Sequence, residues 1–169
     1  MKRGPRVRVL LAVALAALSV MPGRASAQDT EPRPTNVRLT FHLIAANGSQ
    51  TADPEIQAVV TELRRLFRFE GYRLLTKSIL HATSYPNSDV EQTVTDVEGR
   101  DFRISARVSP LGGSNVRLAV QLFAPDQKLI DAAVNLQDGK TVVLGTANVG
   151  RMAGQSGAII LAVTPTINP

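Results

Sequence analysis

Alternating apolar and polar residues predict that most of the chain forms β-strands. An apolar residue at every second position is typical of a strand with one buried face. The clearest sets of positions sharing a face are Val37, Leu39, Phe41 and Leu43, then Phe102, Ile104, Ala106 and Val108, then Val116, Leu118, Val120 and Leu122. Further strands are predicted over 72–82, 90–97, 129–136, 141–144 and 158–164.

One segment has the period of a helix instead. Asp53 and Pro54 are the residue types preferred at an N-cap and at the first helical position. The apolar residues that follow are spaced to form one stripe: Ile56, Val59, Val60, Leu63, Leu66 and Phe67. Gly71 is expected to end the helix. The predicted fold class is α+β, with one amphipathic helix packed on a mainly antiparallel β-sheet.

The N-terminal residues have the layout of a secretory signal peptide. Basic residues come first, an uncharged apolar run covers Val9 to Val20, and Ala25-Ser26-Ala27 supplies the small residues of a cleavage site. The run is shorter than the ~20 residues that a membrane-spanning helix needs. We therefore expect a signal peptide at 1–27, a flexible linker at 28–36 and a single α+β domain at 37–169. The product is expected to be exported, periplasmic or envelope-associated, with no transmembrane segment after cleavage.

The leader also changes the charge balance of the chain. The whole chain has 19 Lys and Arg residues against 14 Asp and Glu residues. The leader contains five of the basic residues and none of the acidic ones, so 14 of each remain. A neutral mature chain gives no reason to expect a nucleic-acid partner. The chain has no cysteine, so the exported domain is expected to fold without disulfides.

No catalytic or metal-binding motif stands out, and we expect no enzyme activity, metal or cofactor. His42 and His81 lie on predicted strands without the spacing of a zinc motif. Gly139-Lys140-Thr141 resembles the end of a phosphate-binding loop, but a predicted hairpin surrounds it. Gly154-Gln155-Ser156-Gly157 is one residue short of the turn that presents a nucleophilic serine. A hydrolase is therefore an alternative that requires Ser156, a histidine and an acid to converge.

Three arginines are expected on the solvent faces of two neighbouring strands: Arg103, Arg107 and Arg117. They indicate either a basic stripe for an acidic partner or an ordinary solvated face whose charges hinder edge-to-edge aggregation. Sheet edges also offer unpaired N–H and C=O groups, so strand addition is the expected way of binding a protein.

The C-terminal part of the chain resembles a region of bacterial secretins, the outer-membrane channels of secretion and pilus systems. Residues 135–145, NLQDGKTVVLG, are similar to the v-x-D-G-x-T-v-v-l-G hairpin of that family. Residues 159–167, IILAVTPTI, are similar to its closing strand, which ends in v-T-P-x-I. Thr146 departs from the second glycine usual in secretins, and the segment from Gly145 to Gly157 is short. The resemblance implies a structural role for the hairpin residues Asp138, Gly139 and Gly145.

The expected function follows from this resemblance. It implies a non-enzymatic exported envelope protein that acts through protein–protein contacts, with a secretion or pilus component as partner. The expected partner surface comprises Arg103, Arg107, Arg117, Ile159, Leu161 and Val163. The alternative is a periplasmic module that binds a small molecule or a peptide between helix and sheet. The oligomeric state is left open.

Overall fold

Eight strands and one short helix make up the part of the chain that the structure describes. This computed structural model describes residues 34–47, 53–69, 71–85, 89–125, 127–145 and 157–168. In chain order the strands are β1 (Asn36–Asn47), β2 (Gly71–Thr83), β3 (Asp89–Thr95), β4 (Asp101–Gly112), β5 (Asn115–Ala124), β6 (Gln127–Gln137), β7 (Val142–Gly145) and β8 (Ala158–Ile167). Between β1 and β2 lie a 3-10 turn, Pro54–Ile56, and the helix α1, Gln57–Leu66.

The strands are divided between two antiparallel four-stranded sheets. The first sheet has the order β2-β1-β8-β7, and the second has the order β3-β4-β5-β6. Their inner faces pack against each other and form one apolar core. The predicted inward residues of β4 and β5 are confirmed, because each is at most 1% exposed: Phe102, Ile104, Ala106, Val108, Val116, Leu118, Val120 and Leu122.

The helix covers the other face of the first sheet. Its buried side chains, among them Val60 and Leu63, pack on Tyr72, Ile160 and Ala162 in a second apolar cluster. β1 and β8 are therefore covered on both faces, which explains why every residue from Ala158 to Val163 is buried. Asp53 is the N-cap of the 3-10 turn that leads into α1, and its carboxylate accepts a hydrogen bond from the Glu55 amide at 3.0 Å.

The predicted fold class, α+β with one helix packed on a mainly antiparallel sheet, is wrong. Strands make up 69% of the described residues and helical turns only 13 residues. The physical reason is that β3 to β6 form a sheet of their own, which buries its apolar face against the first sheet. Gly71 does not end the helix either: α1 ends at Leu66, and Gly71 is the first residue of β2.

The predicted hairpin at residues 137–140 is also absent from the described strands. β6 pairs with β5, whereas β7 pairs with β8 in the other sheet. Asp138 and Gly139 thus form a crossover between sheets, and Gly139 has a φ of +68°. The Gly139 amide donates to the Pro165 carbonyl at 2.9 Å, and the Asp138 carboxylate accepts from the Ile167 amide at 2.8 Å. These bonds fasten the crossover to the end of β8.

Some sequence predictions concern residues outside the described ranges. These are the signal peptide at 1–27, residues 28–33 of the linker, and the segment 146–156, which includes Thr146 and Ser156. Within the described ranges, β1 begins at Asn36. No helix in those ranges is both long enough and apolar enough to cross a membrane.

Candidate protein interface

The six residues of the expected partner surface lie in two different environments. Arg103, Arg107 and Arg117 are exposed on the side of β4 and β5 that faces away from the core. The other three lie in the core between the sheets, with exposed fractions of 5%, 0% and 0% for Ile159, Leu161 and Val163. β8 is moreover paired on both sides, with β1 and β7. A partner cannot contact these three side chains, so the expectation of a partner surface does not hold for them.

The exposed face of the second sheet, which we call the outer face, is formed by the solvent-facing side chains of β3 to β6. Two of its arginines make exposed ion pairs across strands. Arg103 lies 2.9 Å from Glu91, and Arg107 pairs with Asp89, its direct neighbour across the β3–β4 ladder. The hydrogen bond from Arg107 holds the pKa of Asp89 below its ordinary value. The side chain of Arg117 has no hydrogen-bond or ion-pair partner among the described residues.

An arginine and a phenylalanine stack at one end of the outer face. Arg103 and Phe123 are direct partners across the β4–β5 ladder, and the guanidinium carbon lies 4.3 Å from the ring centroid. This contact is within the range of a cation–π interaction, worth about 0.5–1 kcal/mol at an exposed site. It lies beside an open depression of about 490 Å³, whose lining includes Thr93, Asp101, Arg103, Phe123, Pro125 and Lys128.

A smaller depression continues along the same face. It has a volume of about 170 Å³, and Arg107, Gln121 and Asp131 contribute to its lining. The Asp131 carboxylate accepts hydrogen bonds from Lys128 at 2.5 Å and from Gln121 at 3.3 Å. These bonds, the one from Lys128 first, hold the pKa of Asp131 below its ordinary value. The face therefore combines charged pairs with a partly covered aromatic ring.

Among the described residues, the side chains between helix and sheet are closely packed. Ile56, Val60 and Leu63 are at most 1% exposed, and Tyr72 beneath them is fully buried. The Tyr72 hydroxyl donates to the Phe67 carbonyl at 3.2 Å. The larger depression lies instead on the outer face of the other sheet.

The two histidines are placed differently. His42 is half-buried on the helix-facing side of β1, and His81 is exposed on β2. Burial, and then the charge of Lys77, lowers the pKa of His42, while Glu55 opposes this effect. Lys77 and Glu55 form an ion pair at 2.9 Å. Among the described residues, no group of His, Asp and Glu side chains is arranged to hold a metal ion.

Sequence reasoning missed a buried carboxylate at the β3–β4 turn. The Asp96 side chain has no exposed surface. It accepts hydrogen bonds from the amides of Glu98 and Arg100, both at 2.8 Å, and from the Arg100 guanidinium at 2.7 Å. Burial raises the pKa of Asp96, but these bonds outweigh burial and hold the pKa below its ordinary value. The available signal was Asp96 followed by Gly99, the pattern of a turn in which Asp bonds to its own backbone.

Taken together, these features define a two-sheet β-protein with a helix on one side and a candidate protein interface on the other. No known protein family matches the chain. No curated protein matches it either. Among solved structures, the cryo-EM structure of the T2SS secretin XcpQ from Pseudomonas aeruginosa is similar, with a TM-score of 0.32 and 13% identity. The likeness covers 79% of this chain and 57% of that chain. The likeness to a secretin is partial and does not assign this chain to a family.

Proposed function

We propose that the protein is a non-enzymatic exported protein that acts through protein–protein contacts in the bacterial envelope, with the outer face as its docking surface. The supporting observation is the stack of Arg103 on Phe123 beside the depression. Arginine and aromatic side chains are enriched where protein partners bind. The signal-peptide pattern at 1–27 supports the export part of the proposal.

The charges of the outer face suit a partner with both acidic and apolar groups. Arg103 and Glu91 are each about half exposed, at 50% and 52% of their side-chain surface. Exposed pairs of this kind contribute roughly 0–1 kcal/mol, so a partner carboxylate can replace Glu91 at little cost. An apolar partner side chain would bury the rest of the Phe123 ring against Pro125. A secretion or pilus component is the proposed source of that segment, as the sequence resemblance to secretins implies.

The proposal is tested by cross-linking in living cells. A photo-reactive phenylalanine analogue replaces Phe123 in the full chain, and a matched variant carries it at Leu66, which is 64% exposed on the helix side. We expect a discrete covalent adduct with one envelope protein from position 123 only. Export is followed separately by fractionating the cells.

Two results would contradict the proposal. Adducts that are equally frequent at both positions would show that the outer face has no special role. A product that stays in the cytoplasm would show that the protein does not act in the envelope.

A further experiment places the reactive group at Gln127, which lines the same depression. Phe123→Ser and Arg103→Glu should each abolish the adduct formed from that position.

The depression itself favours a second candidate, a periplasmic module that binds a small molecule or a short peptide. Its volume of about 490 Å³ lies within the common range for ligand sites, about 300–1,000 Å³. Titration of the labelled protein with mixed acidic and aromatic tripeptides would test this candidate by NMR. Saturable shifts confined to Thr93, Arg103 and Phe123 would support it, and unchanged spectra at millimolar peptide would argue against it.

A further inference from the structure

Within the described ranges, β6 is a long edge strand with little protection. It has 11 residues and pairs only with β5 within the described ranges. The opposite edge, β3, has seven residues, two acidic side chains in ion pairs, and a hydrogen bond from Ser78 of β2 to Gln92 at 2.6 Å. β7 has only four residues. In β6, the stretch from Ala132 to Leu136 has no charge and no proline, the usual devices that keep an edge from pairing.

The core beside β6 is also incompletely covered by described residues. Leu129, Ala132 and Val134 pack against the core between the sheets, but each keeps part of its surface exposed. β7, the strand of the first sheet nearest to β6, has only four residues within the described ranges. Apolar side chains beside an unpaired backbone edge are the features that favour the addition of another strand.

We propose that β6 pairs antiparallel with β6 of a second copy of this chain, about a two-fold axis at Ala133. On the inner face this register places Ala132 opposite Val134 of the copy, and Ile130 opposite Leu136. Ala132, Val134, Ile130 and Leu136 all face the core side in the β5–β6 ladder, so both copies keep their apolar faces on the same side. A shift by one residue would set core positions against solvent positions.

The polar side of β6 fits the same register. Ala133 meets itself at the axis, and Asp131 lies opposite Asn135 of the copy, so no like charges face each other directly. An axis at Asp131 would instead oppose two carboxylates, which is destabilising. The ion pair between Lys128 and Asp131 leaves the strand with no net charge, so two copies do not repel.

Pairing at β6 joins the second sheets of two copies into one continuous eight-stranded sheet. The two outer faces then lie on the same side, and each carries its own stack of Arg103 on Phe123. A partner with two docking segments would bind such a pair more tightly than a single copy. The pairing rests on the edge and its sequence alone, and does not depend on the proposed docking role.

Disulfide trapping tests the register in the full chain, expressed with its leader and purified from the cell envelope. The natural chain has no cysteine, so Ala133→Cys introduces the sole thiol. Directly opposed residues in an antiparallel pair have Cα atoms about 4.5–5.5 Å apart, within reach of a disulfide. Ala119→Cys is the matched control, because Ala119 is the exposed β5 partner of Ala133. Two such thiols would lie about 15 Å apart across the axis, too far to bond.

We expect mild oxidation to give a covalent dimer of the Ala133→Cys variant and none of the Ala119→Cys variant. In analytical ultracentrifugation, the natural chain should form dimers at concentrations on the order of 100 μM or below. Ala133→Asp should weaken that association about fivefold or more, and Ala119→Asp should leave it unchanged. A natural chain that stays monomeric, equal trapping at both positions, or an Ala133→Asp variant that dimerises normally would each overturn the proposal. The cross-linking result at Phe123 would be unaffected by any of these outcomes.

Discussion

The ring of Phe67 lies directly over Gly145, the last residue of β7. A Cβ atom added at Gly145 would come within 2.6 Å of the Phe67 Cζ atom, closer than two carbon atoms can pack. Phe67 follows the end of α1 and belongs to the cluster between the helix and the first sheet. The absence of a side chain at Gly145 therefore lets the end of the helix pack against the edge of that sheet.

We predict that Gly145→Ala lowers the free energy of unfolding by ~1–3 kcal/mol, the usual cost of overpacking. Urea unfolding followed by circular dichroism measures it. In a Phe67→Ala background the same substitution should cost much less, because the clashing ring is gone. Equal costs in both backgrounds would mean that the two residues are not coupled.

The buried carboxylate of Asp96 gives a second prediction. Asp96→Ala removes the acceptor for two backbone amides and the Arg100 guanidinium, and it should cost ~2–4 kcal/mol of stability. Asp101→Ala is the matched variant, since Asp101 is exposed and accepts only from the Thr95 hydroxyl among the bonds seen here. It should cost less than about 1 kcal/mol. Similar costs for the two variants would contradict the role assigned to Asp96.

The environment of His42 predicts a loss of stability in mild acid. Its pKa in the folded protein is lowered by burial and by Lys77, so the unfolded chain binds the proton more readily. The contribution of the neutral imidazole to the free energy of unfolding is present above about pH 6.5. It is lost as the pH falls below about that value. The Nδ1 atom is buried and has no hydrogen-bond partner among the described residues.

Melting temperatures measured at pH 7.5 and at pH 5, which lie on either side of about pH 6.5, test this effect. His42→Gln should reduce the decline in melting temperature over that interval. His81→Gln, which changes the exposed histidine of β2, serves as the comparison and should retain the decline. If His42→Gln declined as steeply as the natural chain, the account of His42 would be wrong.

Two leucines lie three positions apart on α1, and substituting each one distinguishes the effect of packing from that of helix propensity. Leu63 is fully buried, whereas Leu66 is 64% exposed. Leu63→Ala should cost ~2–5 kcal/mol, because it leaves a cavity between helix and sheet. Leu66→Ala makes the same chemical change in the same helix and should stay within about 0.5 kcal/mol of the natural chain. Chemical denaturation of both variants checks the difference.

Local features were predictable from the sequence because they depend on neighbouring residues. The alternation from Phe102 to Val108 identified the buried face of β4, and Asp53 marked the start of the 3-10 turn that leads into the helix. Arg103, Arg107 and Arg117 were expected on a solvent face for the same reason, since a residue between two buried positions must point away from the core. The apolar stripe of the helix also held, except at its end, where Leu66 is exposed.

The placement of β8 shows where the pattern was misinterpreted. Residues 158–163 are apolar without alternation, which is typical of a strand covered on both faces. The prediction of Ile159, Leu161 and Val163 as partner surface overlooked that signal. The crossover at Asp138 and Gly139 is different, because an Asp-Gly turn has the same sequence whether the next strand pairs back or joins another sheet.

The sequence by itself determined which segments are strands, where the 3-10 turn before the helix begins and which side chains of β4 and β5 are buried. Only the tertiary structure decided that the strands divide between two sheets, that the helix covers just one of them, and that Arg103 meets Phe123. The physical reason is that the period at which side chains return to the same face of a strand or helix depends on bonds along the chain. Strand pairing and sheet packing depend on contacts between residues far apart in sequence, and many pairings bury the same apolar positions.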